Sequence, residues 1–474
     1  MKFDKLPYEN LLKEIGCVAD DLKYECYVVG GFVRDLLLER DNDDIDVVVV
    51  GKGVEMAKTY VKYLRSWGRK AKYSLFENFG TAQVKVEDPE YGELEVEFVG
   101  ARRESYIRGS RKPIVEEGTL FDDLSRRDFT INAMAICLNK DKYGELVDMF
   151  NGLCDLKTKT IYTPNAADIT FSDDPLRQLR AIRFACKLGF KIHPSTFEGI
   201  RRNAYRLEII SEERIATEFL KIMSSPIPSE GIKLLHQSGL LKQFLPEVDA
   251  LDTDGYAKDR RPHKNIFNHT LEVLDNVVER TDNVWVRIAA LLHDIGKMKT
   301  RKYDKINGYT FQGHEKIGAN MVDVIFRRLK LPLDEHLTFV HNLVQLHMRP
   351  QAIADAGVTD SAVRRLVFDA DGHIDELLIL AESDITTAKI EKKKRFRRQY
   401  EELKKRVEEL KQADFVRTFQ PCVSGTDIME RYGLTPSKKV GELKQIIKDA
   451  VLDGTVENTP EKLYEILDKE MNYV

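Results

Sequence analysis

At 474 residues the chain is long enough for about three domains of ordinary size. A hydrophobic share of 42% beside a charged share of 32% is globular, and no apolar run approaches the ~18 residues of a membrane span. The formal net charge of −4 excludes global basicity as the mark of a nucleic-acid partner, so any such surface must be a local patch.

The opening MKFDKLPYEN has no apolar stretch of signal-peptide length. Cys17, Cys26, Cys137, Cys154, Cys186 and Cys422 are scattered without CxxC pairs, which predicts reduced thiols and a cytoplasmic location. Residues 1–160 then alternate helix-like and strand-like segments. LPYENLLKEIGCVADDL carries apolar residues at helical spacing, whereas CYVVGG, DIDVVVVG, TAQVKV and LEVEFV read as strands, predicting a compact α/β head. From about 161 to 250 the pattern is helical, carried by DDPLRQLRAIRFACKLGF, ERIATEFLKIM and GIKLLHQSGLLKQFLPEV. The polar stretch 249–264 reads as a boundary, and a second helical block occupies about 255–390. In the segment 391–474, Phe396, Tyr400, Leu403, Val407 and Leu410 space one amphipathic helix with a basic first half, and a helical tail closes the chain.

Between the first two strands, VVGGFVRDLLLERDNDDIDVVVVG holds groups that a core strand does not need. Gly30 and Gly31 allow close approach of the backbone, and Arg34 can reach an anion. Asp44 and Asp46 flank Ile45 and so point to one side of a strand, where they repel unless a cation lies between them. The combination suggests a phosphate at Gly30, Gly31 and Arg34 and a divalent metal at Asp44 and Asp46. Glu95 and Glu97 share a strand face, and either could complete the cluster. In two-metal transfer such carboxylates hold ions about 3.5–4 Å apart, activating a hydroxyl and steadying the leaving pyrophosphate. The plainer alternative is an acid-rich turn before a buried strand. Further on, LSRRDFTINAMA offers Arg127, Asp128 and Asn132 to grip a triphosphate and read ribose hydroxyls, with Asp128 also a candidate helix N-cap.

In order, GGFVRD…DID, RRDFTINAMA, VDMFNGLCDL, DDPLRQLRAIRFA and ERIATE resemble the motif series of the class II tRNA nucleotidyltransferases, the CCA-adding enzymes and their poly(A) polymerase relatives. The resemblance covers about 1–235. It implies a polymerase-β-like mixed-sheet head with Mg²⁺, followed by all-α neck, HD and tail domains, so that the molecule is mostly helical. It also implies addition of CMP and AMP from CTP and ATP to the 3′ end of tRNA without a nucleic-acid template. By resemblance Glu97 is the better third catalytic carboxylate. Where the family has Glu-Asp this chain has Asp173 and Asp174, and the base-reading role falls to Asp174 with Arg177, three residues on and hence its neighbour on a helix. Arg180 and Arg183 continue the series, each step drifting about 60° around the helix; the alternative is that these arginines pair with acids of the head. The stretch 100–125, rich in Gly, Pro and charge, corresponds to a flexible loop that accompanies the switch from C to A addition. The nearest rival reading is an enzyme that adds only A, either a poly(A) polymerase or the A-adding half of a split CCA system.

The second helical block gathers His269, His293, Asp294, His314, His347 and Asp384, with His341 an alternative to His347. Imidazoles and carboxylates converging from several helices make a site for Mg²⁺, Mn²⁺, Ni²⁺ or iron. The doublet in LLHDIGK makes this block resemble the HD phosphohydrolase domain, which implies hydrolysis of phosphoesters. The basic run Lys392 to Arg398 could support the acceptor arm of tRNA through phosphate contacts, or simply be a solvated face.

Overall fold

The computed structural model describes residues 1–474 apart from 77–79, 89, 106–113, 254–264, 307, 387–389, 413–420 and 473–474. The chain divides into two compact units, Met1–Ser225 with Leu234–Gln243, and Pro226–Lys233 with Phe244–Val474.

The first unit opens with a helix, Glu9–Leu22, and then builds β1 (Glu25–Val29), β2 (Ile45–Val50), β3 (Ala71–Phe76), β4 (Thr81–Asp88) and β5 (Gly92–Gly100). A short antiparallel ribbon follows, β6 (Arg102–Ser105) with β7 (Ile114–Glu117), and then β8 (Met134–Cys137) and β9 (Leu146–Asp148). Seven of these strands form one sheet in the order β3-β4-β5-β2-β1-β8-β9, antiparallel except for the central β2–β5 pair. The predicted loop 100–125 is thus a paired ribbon at its base, followed by the helix Leu120–Ser125 behind a Thr119–Asp122 capping box; its segment 106–113 lies outside the described residues.

Strand alternation decides what the sheet offers to each side. Ile45, Val47 and Val49 join the main core with Val96, Phe98 and the helices Glu9–Leu22 and Gly53–Ser66, whereas Val48 belongs to a smaller cluster with Leu120 and Leu124. Asp44 and Asp46 share the parity of Val48, and Glu97 alternates with the core residues Val96 and Phe98. All three acids therefore face away from the main core.

The predicted helix across DDPLRQ is broken. Its two parts are Ala167–Asp173 and Leu176–Leu188, with Asp174 extended at φ −137°, ψ 100°. Pro175 explains the break, because a residue before proline is driven out of the helical region. The helix Leu176–Leu188 then packs on Glu212–Met223.

In the second unit the helices Ile266–Val278, Val284–Leu292, His314–Arg328, Glu335–Leu346 and Ile374–Ser383 enclose an apolar interior that includes Val273, Leu291, Val322, Val340 and Leu377. The amphipathic helix is one element, Ile390–Gln412; Tyr400, Leu403, Val407 and Leu410 are buried, and most of Lys392–Arg398 is exposed. Helices Gly425–Tyr432, Lys438–Leu452 and Pro460–Asn472 close around a separate core of Ile428, Leu443, Ile447, Leu463 and Leu467. Among the described residues no helix is long and apolar enough to cross a membrane.

Candidate active site and metal centre

Gly30 ends β1 with φ 73°, a conformation that only glycine adopts without strain, and a Cβ there would come within 2.9 Å of Arg127 Nη1. The turn brings Gly30 and Gly31 to a cavity of about 790 Å³, also lined by Asp44, Asp46, Arg127, Asp128, Asn132, Asp174, Arg177, Arg180 and Arg183. Glu97 is the strand partner of Asp46 across the parallel pair. Glu95, its rival, is engaged by Lys85 at 3.1 Å on the neighbouring strand.

Burial and the charges of Asp44, Glu97 and Asp123 push the Asp46 carboxyl up to about 6, against the opposing pull of Arg127. Partial burial and Asp44 likewise raise Glu97. Negative charge in excess of its partners is the environment a divalent cation relieves, so the donor set fits Mg²⁺. The three carboxylates do not close to within 4.8 Å of one another; among the described residues the groups that do so lie in the second unit.

The remaining head residues form one buried relay. Arg34 Nε and Nη2 donate to the two oxygens of Asp35 at 2.8 and 2.7 Å, and Nη1 donates to Asn132 Oδ1 at 2.7 Å. Asn132 Nδ2 donates to Asp128 Oδ1 at 2.9 Å, and Arg180 Nε donates to Asp128 Oδ2 at 2.8 Å. Burial alone would raise Asp128, but Arg180 and the Asn132 amide hold it below the usual carboxylate range. Asp128 is not an N-cap: the turn Thr130–Asn132 is preceded by Phe129. Arg127 and Arg126 both donate to the fully buried Asp123. The expected alternative of pairing with acids of the head is realised for Arg180 with Asp128, whereas Arg183 pairs at 2.9 Å with buried Glu218 of the neighbouring neck helix.

Asp174 and Arg177 are not helix neighbours, as their spacing alone predicted. Asp174 precedes the helix and caps it, accepting from Leu176 N–H at 3.1 Å, while its other oxygen is 3.4 Å from Arg214. Both residues still line the cavity. An exposed carboxylate edge beside a guanidinium can accept from an exocyclic amine and donate to a ring nitrogen or carbonyl.

Sequence reasoning missed Asp35, Asp123, Phe184, Lys187 and Lys221. Asp123 had a signal, standing three and four residues before Arg126 and Arg127. Phe184 had none: its ring lies 5.1, 5.5 and 4.4 Å from the guanidinium carbons of Arg34, Arg180 and Arg183, a collar that appears only in three dimensions.

In the second unit the six predicted metal-binding side chains meet. His293 Nδ1 is 2.7 Å from the Ala290 carbonyl, His314 Nδ1 2.9 Å from that of Phe311 and His347 Nδ1 2.6 Å from that of Val344. Each carbonyl is placed to accept from Nδ1–H, which in the neutral ring makes Nε2 the nitrogen able to bind a metal. A Cβ at Gly296 would meet the His314 carbonyl oxygen at 2.0 Å, so glycine lets the two ligand-bearing segments touch. His269, His293 and Asp384 form one triad and Asp294, His314 and His347 another. Asp294 Oδ2 faces the first, 3.3 Å from His293 and 3.6 Å from His269, and Oδ1 faces the second, 3.4 Å from His314. His293 Nε2 and Asp294 Oδ1 are buried without a hydrogen-bond partner. Burial would lower His293, but Asp294 and Asp384 overcome it and push the imidazole up to about 10; burial and the charge of His293 bring His347 down to about 4. A pocket so negative, with orphaned donors aimed into it, fits one or two divalent or transition-metal ions. His341 is elsewhere, bonded to Asp323 at 2.9 Å and Gln345 at 3.1 Å.

Family models match in the same order as these sites: the poly A polymerase head domain over 26–162, the probable RNA- and SrmB-binding site of polymerase A over 189–251 and the HD domain over 266–414. The chain is 43% identical over 208 residues to an A-adding tRNA nucleotidyltransferase of Aquifex aeolicus, covering 42% of this chain but only 24% of that longer protein. It is 33% identical over 341 residues to a multifunctional CCA protein of Psychromonas ingrahamii, covering 68% and 76% of the two chains. Its fold matches the CCA-adding enzyme of Bacillus stearothermophilus solved with CTP, with a TM-score of 0.64 at 23% identity over 99% and 98% of the chains. The carboxylate-edged head cavity, the arginine-lined helix beside it and the histidine–aspartate centre thus occur together in a chain that belongs to the class II tRNA nucleotidyltransferase family of CCA-adding enzymes.

Proposed function

We propose that the chain adds CMP and AMP from CTP and ATP to the 3′ end of tRNA, using its own side chains in place of a template. The observation that carries this reading is the single cavity that holds Asp44 and Asp46, the Arg127–Asp128 pair, and Asp174 with Arg177. Asp44, Asp46 and Glu97 would hold Mg²⁺, which would supply charge neutralisation at the reacting phosphate and make the acceptor hydroxyl more acidic. Gly30 and Gly31 let the backbone approach the phosphates, and Arg127, held by Asp123, faces them. Asp174 and Arg177 select the base by its hydrogen-bonding edge, rejecting G and U. Arg180 ties the base-reading helix to the head through Asp128.

The Aquifex relative is an A-adding tRNA nucleotidyltransferase, which keeps addition of only AMP as a second reading. Incubation with tRNA ending before CCA, supplying CTP and ATP separately and together, separates the two. Extension by CCA with both nucleotides supports the first; extension only of tRNA already ending in CC supports the second; no extension of either removes both.

The histidine–aspartate centre is proposed to hydrolyse phosphoester ends such as a 2′,3′-cyclic phosphate or a 2′-phosphate on damaged tRNA. Metal held by the two triads would acidify water there. Lys297, whose Nζ is 2.5 Å from Asp294 Oδ2, is placed to steady the phosphate. Assay against 2′,3′-cyclic nucleotides with Mg²⁺, Mn²⁺ and Ni²⁺ tests it.

A further inference from the structure

Two salt bridges fix how the helices Leu176–Leu188 and Glu212–Met223 lie together. Asp174, just before the first, meets Arg214 at 3.4 Å, and Arg183 meets Glu218 at 2.9 Å. Residue numbers rise together along both helices, so the two run parallel. Lys187 stands four residues beyond Arg183 and Lys221 three beyond Glu218, so each lies about one turn past that pair, on adjoining helices. Both lysines are exposed and both line the cavity that contains Asp44 and Asp46.

Two ammonium groups lining one cavity repel, and among the described residues neither has an ion-pair or hydrogen-bond partner. The other cations of the cavity are largely engaged: Arg34 by Asp35, Arg127 by Asp123, Arg180 by Asp128 and Arg183 by Glu218. The lysines are also remote from the base-reading end. Lys187 is ten residues beyond Arg177, roughly 15 Å along the helix axis. A nucleotide whose base meets Asp174 and Arg177 and whose phosphates meet Gly30, Arg127 and the carboxylates does not need them.

We propose that Lys187 and Lys221 form a clamp for backbone phosphates of the single-stranded 3′ end of the acceptor RNA, holding the primer strand while the nucleotide is held elsewhere in the cavity. The clamp rests on the nucleotidyl-transfer reading of that cavity. It makes these lysines specificity elements for RNA and not for the triphosphate.

The test uses the full chain, wild type and the double variant Lys187→Gln/Lys221→Gln, with a charge-reversed Lys187→Glu/Lys221→Glu as a second variant. AMP addition to tRNA ending in CC serves both addition readings. The KM for tRNA should rise about tenfold in the glutamine variant and further in the glutamate variant, with the KM for ATP at saturating tRNA unmoved. Each phosphate contact to a single strand contributes a slope of about 0.7 to the log–log salt dependence, so loss of two should flatten it by about 1.4. Affinity for a fluorescent single-stranded RNA ending in CC, measured over about 50 to 200 mM salt, reads the clamp without turnover. Unchanged RNA affinity and slope overturn it, as does a rise in the KM for ATP in place of tRNA. If the wild type adds no nucleotide yet the variants lose RNA affinity and slope, the clamp stands and the transfer reading falls.

Discussion

At the scale of single residues the head is organised by which acids are paired and which are left to a ligand. Asp35, Asp123 and Asp128 are each satisfied by guanidinium groups, whereas Asp46 is held up to about 6 by burial and by other carboxylates. On the nucleotidyl-transfer reading, the carboxylate left without a guanidinium partner is the one that would hold metal. Asp46→Ala should therefore reduce nucleotide addition by about 10³-fold or more, the few kcal/mol of transition-state stabilisation that a lost metal ligand represents. RNA affinity should stay close to wild type; near-normal turnover would place the chemistry elsewhere. Asp174 has two duties, capping Leu176 N–H and presenting an oxygen to the cavity. Asp174→Ala should raise misincorporation of UMP and GMP roughly ten- to hundredfold, since a wrong pairing is disfavoured by about 1–3 kcal/mol. Urea unfolding should show a loss of about 1 kcal/mol for the missing cap. A variant that loses the cap energy and keeps its fidelity would leave Asp174 a purely structural residue.

At the scale of elements, much was legible because one strand face is a period-two object. DIDVVVV announces that Ile45, Val47 and Val49 enter the core and that Asp44 and Asp46 turn away from it, and the strand does this. The same periodicity could not separate Glu95 from Glu97, which share a face; the choice depends on Lys85, a cross-strand neighbour set by the β4–β5 register. Pro175 carried a signal that the spacing argument overrode, and so Asp174 was placed on a helix that begins two residues later. Lys187 and Lys221 were silent because their proximity depends on how two helices align. The helix Leu120–Ser125 yields a pH prediction. Burial would raise Asp123, but Arg127 and Arg126 hold its folded pKa below the ordinary carboxylate value. A depressed folded pKa contributes stability that is complete above the unfolded value of about 3.9 and is lost as pH falls through the folded value. Asp123→Asn should accordingly destabilise the chain by about 3 kcal/mol at neutral pH by stranding two partly buried guanidinium groups. Denaturant titrations of both proteins from neutral pH to below pH 4 should show the gap narrowing in acid; a gap constant with pH would mean that the carboxylate charge contributes nothing.

At the scale of the whole molecule, the two candidate metal sites belong to different compact units. Asp44, Asp46, Glu97, Asp174 and Arg177 all belong to the first compact unit, and His269, His293, Asp294, His314, His347 and Asp384 all belong to the second. No ligand of either set is borrowed from the other. If both act on tRNA, a terminal 2′,3′-cyclic phosphate fixes the chemical order: it leaves no free 3′-hydroxyl, so its hydrolysis to a 2′-phosphate end must come before addition. Asp294 tests the proposed hydrolysis, because its two oxygens face different triads. Asp294→Ala should remove a ligand from its own triad and the carboxylate oxygen that faces the other, abolish any phosphoesterase activity and lower the bound metal measured by elemental analysis, while CCA addition to intact acceptors stays near wild type. On acceptors ending in a cyclic phosphate the same variant should fail at addition as well, since the block persists. Loss of addition on intact tRNA together with normal metal content would mean that Asp294 supports the fold and not a second active site. Retained hydrolysis in the variant would place that chemistry outside the two triads.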